Sequence, residues 1–134
     1  MRQLILFCSL AGILALMLTA GTSADDEAKA ETDPMLRHVV MFQFKDSSSA
    51  ADIQGVVDAF KALPGKIPQI AAFEWGTNNS PEGLEQGLTH CFLLSFKSEE
   101  DREVYLPHPD HKAFGKVLGP HLEKVVVIDY WTED

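Results

Sequence analysis

The chain has 134 residues, and its 20 acidic and 11 basic side chains give a formal charge of −9 at neutral pH. A surface this negative repels nucleic acid and anionic lipid, so neither is expected as a partner. The 46% share of hydrophobic residues suits one small folded domain with a single core.

The first 24 residues have the layout of a secretory signal peptide. Arg2 precedes an apolar run from Leu4 to Leu18, and small residues close the segment before an acidic stretch begins. The run is shorter than the about 20 apolar residues that a membrane-spanning helix needs. We therefore expect cleavage after Ala24, export to the periplasm or the outside of the cell, and no membrane attachment afterwards.

Residues 25–35 hold five acids and almost no large apolar side chains, which predicts a flexible acidic tether. The folded domain is expected over residues 36–134. Cys8 leaves with the signal peptide, so Cys91 remains alone and cannot form an intramolecular disulfide. Because Cys91 lies within an apolar run, we expect its side chain to be buried.

The first predicted element is a strand from Leu36 to Lys45, since β-branched and aromatic residues dominate it. Both of its faces carry apolar side chains, which indicates a strand covered on both sides. One face is formed by His38, Val40, Phe42 and Phe44, and the other by Val39, Met41 and Gln43.

A helix follows, capped by Ser48 or Ser49 and ended by Pro64 and Gly65. Its apolar residues recur at spacings of three and four, which places them on one buried stripe. The stripe consists of Ile53, Val56, Val57, Phe60 and Leu63.

The remaining elements complete a β-α-β-β-α-β order. Strands are predicted over residues 70–75, 88–96 and 125–131. The second helix starts at a capping box formed by Ser98 and Asp101, is interrupted by Pro107 and Pro109, and stops at Gly119. This order predicts an α+β, ferredoxin-like domain, in which both helices cover one face of a four-stranded antiparallel sheet.

The other sheet face would then expose apolar residues, namely Val39, Met41, Cys91 and Leu93. Two copies that pair face to face would hide this surface, at about 25 cal/mol per Å² of apolar area removed from water. We therefore expect a homodimer with a central barrel.

The segment from Tyr105 to His111 is the strongest candidate for a polar site, because it places one phenol and two imidazoles at the helix interruption. His111 as a base and Tyr105 as a hydrogen-bond donor would suit chemistry at a carbonyl. In an unbroken helix the two side chains would lie about 120° apart, so they meet only if the prolines redirect one of them. Alternatively, Tyr105, His108 and His111 bond the backbone groups that the prolines leave free.

The sequence signals for a bound cofactor or metal ion are weak. No glycine-rich phosphate loop, nucleophile elbow or CxxC pair is present, and no cofactor is expected. His108 and His111 have a spacing that can bind zinc, but no clear partner ligand accompanies them, so no metal is expected. His38 among apolar neighbours fits either a satisfied core residue or a third member of the site.

A set of short motifs is spread over the whole predicted domain. They are Arg37-His38-Val39-Val40, Phe44-Lys45, Thr89-His90, Ser98-Glu99-Glu100-Asp101, Tyr105, His108-Pro109-Asp110-His111, Phe114 and Asp129-Tyr130. With these motifs, the chain from Leu36 to Trp131 resembles the stress-responsive A/B barrel (Dabb) family, whose members are dimeric α+β barrels.

The resemblance also implies a site. One plant member of the family closes a polyketide chain with a Tyr and a His in the broken helix, which correspond here to Tyr105 and His111, and its first-strand His corresponds to His38. The implied ligand pocket lies between sheet and helices, although Phe60 lacks the hydroxyl of its counterpart. Its lining would be Val40, Phe42, Val56, Phe60, Phe92, His108 and Phe114.

The sequence thus predicts an exported homodimer that binds a small apolar or aromatic ligand or acts in a stress response. The alternative is a cofactor-free enzyme that acts on a polyketide-like or aromatic carbonyl compound, as an aldol cyclase or a monooxygenase.

Overall fold

A four-stranded antiparallel sheet with three α-helices forms the folded part of the chain in a computed structural model, which describes residues 33–133. The strand order is β2-β3-β1-β4, so the first strand is central. The α+β, ferredoxin-like prediction is confirmed, with the second helix split in two. The strands are β1 (Leu36–Phe44), β2 (Ala72–Thr77), β3 (His90–Phe96) and β4 (Leu122–Trp131), and the helices are α1 (Ala50–Lys61), α2 (Glu99–Tyr105) and α3 (Pro109–Leu118).

The predicted signal peptide and most of the predicted tether lie outside the described residues. At the boundary, the Met35 N–H donates to Thr132 Oγ1 at 2.9 Å, and the Thr132 N–H donates to the Met35 carbonyl at 3.0 Å. Residue 35 is therefore held against the end of the sheet. Within residues 33–133, no helix is both long and apolar enough to cross a membrane.

The alternation predicted for β1 is the pattern that the structure shows. Every second residue from Leu36 to Phe44 is buried, and the residues between them are only partly covered. These buried side chains meet the apolar stripe of α1, where Val56, Val57 and Phe60 are buried. The core therefore lies between the sheet and the helices.

Local capping explains where the helices begin. Ser49, one of the two predicted caps, starts α1 and forms a reciprocal capping box with Asp52. The Ser98 hydroxyl accepts the Asp101 N–H at 3.1 Å and starts α2. A 3-10 turn at Leu63–Gly65 follows α1 where the proline and glycine were expected to end it.

Four sequence predictions differ from the structure. β3 begins at His90 rather than at residue 88. β4 begins at Leu122 rather than at residue 125, because Leu122 pairs with Phe44 beyond an irregularity in the ladder. β2 covers Ala72–Thr77, and Ile70 packs into the core from the turn before it. Cys91 is exposed rather than buried, because its side chain points to the sheet face that no helix covers.

This helix-free side, which we call the open face, is apolar. Ile128 and Tyr130 are 52% and 48% exposed. Val39 lies opposite Ile128 and Met41 lies opposite Val126 in the ladder, and both are only partly covered. A single copy of the chain therefore leaves large hydrophobic side chains in water.

Candidate acid–base site at the helix break

The break between α2 and α3 is stabilised by its own histidines. The His108 Nδ1 atom accepts the Asp110 N–H at 3.2 Å, which makes His108 the N-cap of α3. The His111 Nδ1 atom lies 2.9 Å from the Leu106 carbonyl oxygen. The alternative interpretation is therefore confirmed for these two histidines, but not for Tyr105, and the pocket role of His108 stays a prediction.

The hydrogen bond of His111 also determines which of its ring nitrogens carries the proton. A carbonyl oxygen can only accept, so the His111 Nδ1 atom must carry the proton that it donates to Leu106. In the neutral imidazole the Nε2 atom then holds a free lone pair. A half-buried histidine in this tautomer can take up a proton from a bound molecule through Nε2.

The prolines bring Tyr105 and His111 together. Their ring centroids are 4.3 Å apart, whereas an unbroken helix would direct the two side chains about 120° apart. Tyr105 is fully buried, and this burial raises the pKa of its phenol. The hydroxyl therefore stays protonated at neutral pH and suits a hydrogen-bond donor.

His38 extends the same row of rings from the sheet side. It is 5% exposed on β1, and its ring centroid lies 5.8 Å from that of Tyr105. The structure thus places the three residues predicted as catalytic next to one another, in the order His38, Tyr105, His111. We call these three residues the acid–base cluster. Their catalytic role stays a prediction.

Two further residues, Asp129 and Arg102, adjoin this cluster. The sequence alone did not indicate that they are functional. Asp129 on β4 lies directly across the ladder from His38, and its Oδ1 atom is 2.6 Å from the His38 Nδ1 atom. Its Oδ2 atom accepts a hydrogen bond from Arg102 Nη1 at 2.7 Å. The available signal was an acidic residue that interrupts an apolar strand, but its partner depends on the strand register.

The residues predicted to line a pocket form a packed aromatic core. The ring centroid of Phe60 is 4.4 Å from that of Phe92 and 4.5 Å from that of Phe114. Phe42 contacts the same group, with its centroid 5.3 Å from Phe92. These rings, with Val40 and Val56, are at most 6% exposed, and they occupy the space between sheet and helices. Ligand contact by these residues stays a prediction.

A cavity of about 750 Å³ lies elsewhere, beside the loop between β2 and β3. Its walls include Met41, Leu88, Cys91 and Val126 from the sheet side of that loop. Burial and the nearby Glu74 carboxylate raise the pKa of the Cys91 thiol, which disfavours the reactive thiolate. Across the part of the chain that the structure describes, no three His, Cys, Asp or Glu side chains come together as a metal site.

Comparison with known proteins agrees with this fold. The stress responsive A/B barrel domain matches residues 36–132. The stress-response A/B barrel domain-containing protein HS1 of Arabidopsis thaliana is 38% identical over 95 residues, which are 71% of this chain and 87% of HS1. Olivetolic acid cyclase of Cannabis sativa is 30% identical over 95 residues, which are 71% of this chain and 94% of the cyclase.

Solved structures give the same result. The hydroxynitrile lyase of Passiflora edulis has a TM-score of 0.72 at 27% identity, over 77% of this chain and 97% of the lyase. A dimeric protein of unknown function with a ferredoxin-like fold, from Bacteroides fragilis, has a TM-score of 0.59 at 30% identity, over 72% of this chain and 94% of that protein. The chain therefore belongs to the stress-responsive A/B barrel domain family.

Proposed function

We propose that the chain is an exported homodimer that binds a small apolar or aromatic molecule at the acid–base cluster. The observation that carries this proposal is the row of three rings, with centroid distances of 5.8 Å and 4.3 Å. A protonated phenol and an imidazole lone pair side by side can recognise a ligand that has both an acceptor oxygen and an acidic proton.

The helix break is the route by which such a molecule would reach the cluster. His111 is half-buried and Leu106 is 45% exposed, so the cluster comes closest to the surface here. Tyr105 is buried behind His111 and is bordered by Phe96 at 5.2 Å between ring centroids. A ligand that enters here would place its apolar body against aromatic rings and its oxygen against the phenol.

The second candidate function is catalysis at a carbonyl compound without a cofactor. In this reaction the His111 Nε2 atom takes a proton from a carbon acid, and the resulting carbanion attacks a carbonyl carbon. The carbonyl oxygen gains the negative charge while Tyr105 donates a hydrogen bond to it, and it then takes the proton back from His111. The names of two relatives, a cyclase and a hydroxynitrile lyase, favour this candidate.

Ligand binding and catalysis are tested together. Olivetolic acid serves as the binding probe in calorimetric titration, and benzaldehyde with cyanide serves as the turnover probe, with mandelonitrile as the product. The matched variants are Tyr105→Phe and His111→Ala, and the control is His121→Ala, whose side chain bonds Ser48 away from the cluster.

We expect wild type and the His121 variant to bind the probe and both cluster variants to bind it at least tenfold more weakly. Turnover that both cluster variants abolish, while they remain folded, would establish the enzyme. Equal probe binding by all four proteins would refute the cluster as the site.

The dimer is part of the proposal because of the open face. Pairing two copies there would remove Ile128, Tyr130, Val39 and Met41 from water. The neighbour from Bacteroides fragilis, which is described as dimeric, supports a dimer. We expect sedimentation to give a dimer for wild type and a monomer for Ile128→Glu, whereas Val117→Glu, at a 45% exposed position of α3 on the other side of the sheet, stays dimeric.

Export is tested by the mature N-terminus. The apolar run and the small residues before Asp25 support cleavage after Ala24. N-terminal sequencing of the protein released by its native host should begin at Asp25. A cytoplasmic protein that retains Met1 or Arg2 would contradict this part of the proposal.

A further inference from the structure

Asp129 uses its two carboxylate oxygens for two different partners. Oδ1 contacts His38 on β1 at 2.6 Å, and Oδ2 contacts Arg102 on α2 at 2.7 Å. The side chains of His38, Asp129 and Arg102 are only 7%, 27% and 22% exposed. The carboxylate therefore links the central strand, an edge strand and the helix that carries Tyr105, largely shielded from water.

We propose that Asp129 and Arg102 are positioning residues of the acid–base cluster, which together hold His38 with its proton on Nδ1 and its lone pair on Nε2. This inference rests on the proposed function, because it concerns how the same site is prepared. Asp129 is the residue that selects the tautomer. An ionised carboxylate can only accept, so the His38 nitrogen that contacts it must donate.

Arg102 has a separate part in this arrangement. Its guanidinium occupies Oδ2, which leaves only Oδ1 free for His38 and fixes the rotation of the carboxylate. Its positive charge also balances the negative charge of Asp129. The Nδ1–H group of His38 then points to Oδ1, which leaves Nε2 as the acceptor of the neutral ring.

The surroundings of the His38 ring restrict its orientation further. The ring makes edge contacts with Phe96 and Tyr105, at centroid distances of 6.3 Å and 5.8 Å. A histidine that only filled the core would need one hydrogen-bond partner for burial. The partner of His38 is instead the Asp129 carboxylate, whose orientation is itself fixed by the Arg102 guanidinium. Burial alone does not require this second contact.

The test is a nitrogen-15 NMR measurement of the histidine tautomers, with the His38 signals assigned by their loss in His38→Gln. In wild type we expect the pattern of a protonated Nδ1. In Asp129→Asn, Arg102 can donate only to the amide oxygen, so the amide NH₂ group must face His38. Its donor then requires Nδ1 to accept, and the tautomer should reverse to a protonated Nε2.

Three variants complete the experiment. Arg102→Lys keeps a donor and a charge and should retain the wild-type pattern. In Arg102→Met the carboxylate is free to rotate, so Nδ1 still donates to it but the Nδ1 proton should exchange with water faster than in wild type. Glu123→Gln removes an exposed carboxylate from the same strand and is the matched control, expected to leave the His38 signals unchanged.

A protonated Nε2 in the wild type, or an unchanged pattern in Asp129→Asn, would overturn the inference. The measurement needs no ligand, so it separates this inference from the proposed function. If the tautomer reverses but wild type does not bind olivetolic acid, positioning stands and the binding proposal fails. If wild type binds the probe and Asp129→Asn binds equally well with an unchanged tautomer, only the positioning role fails.

Discussion

Truncation of Phe60 distinguishes a packed core from a ligand pocket. Phe60 is 1% exposed, and its ring lies 4.4 Å from Phe92, 4.5 Å from Phe114 and 5.5 Å from Phe73 between centroids. A buried aromatic side chain removes about 150–250 Å² from water, which corresponds to about 4–6 kcal/mol at 25 cal/mol per Å². Measured truncations of buried Phe cost about 3–5 kcal/mol.

We therefore expect Phe60→Ala to lower the free energy of unfolding by about 4 kcal/mol. For a domain of this size, that loss lowers the melting temperature by roughly 16–30 °C. Urea unfolding followed by tryptophan fluorescence measures it, at one fixed protein concentration because the proposed dimer makes stability depend on concentration.

The control for this experiment is Leu84→Ala, an apolar truncation at a residue that is 72% exposed. Its cost should stay within about 0.5 kcal/mol. A loss below about 1.5 kcal/mol for Phe60→Ala, with an unchanged denaturant slope, would refute the packed arrangement. It would favour the pocket that the family resemblance implies, because a side chain that lines open space loses few contacts when truncated.

Three other predictions concern single features of the fold. Ser49→Ala removes the capping box of α1 and should cost about 1 kcal/mol in thermal unfolding, while Ser47→Ala, outside that box, should cost little. Gly83→Ala and Gly87→Ala should each cost about 1 kcal/mol in urea unfolding, because both have positive φ and the flexible Gln43 amide can move away from a Cβ at Gly87; unchanged stability of both variants would contradict this strain. Because burial raises the pKa of Tyr105, the unfolded state ionises first, so stability should fall above about pH 10 by up to about 1.4 kcal/mol per pH unit. Tyr105→Phe should flatten this fall in urea titrations at pH 9–11, and an unchanged slope would refute the assignment.

The fold was predictable because buried apolar residues recur along the sequence at the period of the strand or helix that contains them. Alternate residues of β1 are buried, and apolar residues recur along α1 at helical spacing, so the pattern reports which face turns inward. The broken helix was predictable for a different reason. Pro107 and Pro109 remove backbone donors, and only a local rearrangement can satisfy the carbonyls that remain.

The site was predictable only in part. Tyr105 and His111 are close in sequence, so their meeting depends on one local break. Asp129 meets His38 across 91 positions of sequence, through the register of β1 and β4, which periodicity does not specify.

Cys91 is exposed in a single copy of the chain for a related reason. An apolar run indicates that a residue lies in a sheet, but not whether the face on which it lies is covered by the same chain or by a second copy. Likewise, the pattern that places Phe60 and Phe92 on the inner side cannot tell whether their rings fill that space or border it.

The interruption between α2 and α3 lowers the local stability of the helix but creates the geometry of the site. The Leu106 carbonyl is bonded by an imidazole instead of an amide of a continuing helix, and His108 supplies the cap that restarts the chain. Replacing both prolines with alanine would restore helix propensity and backbone donors. The straightened segment would direct Tyr105 and His111 to different sides of one continuous helix. Substitutions that stabilise this segment would therefore separate the two side chains that the helix break brings together.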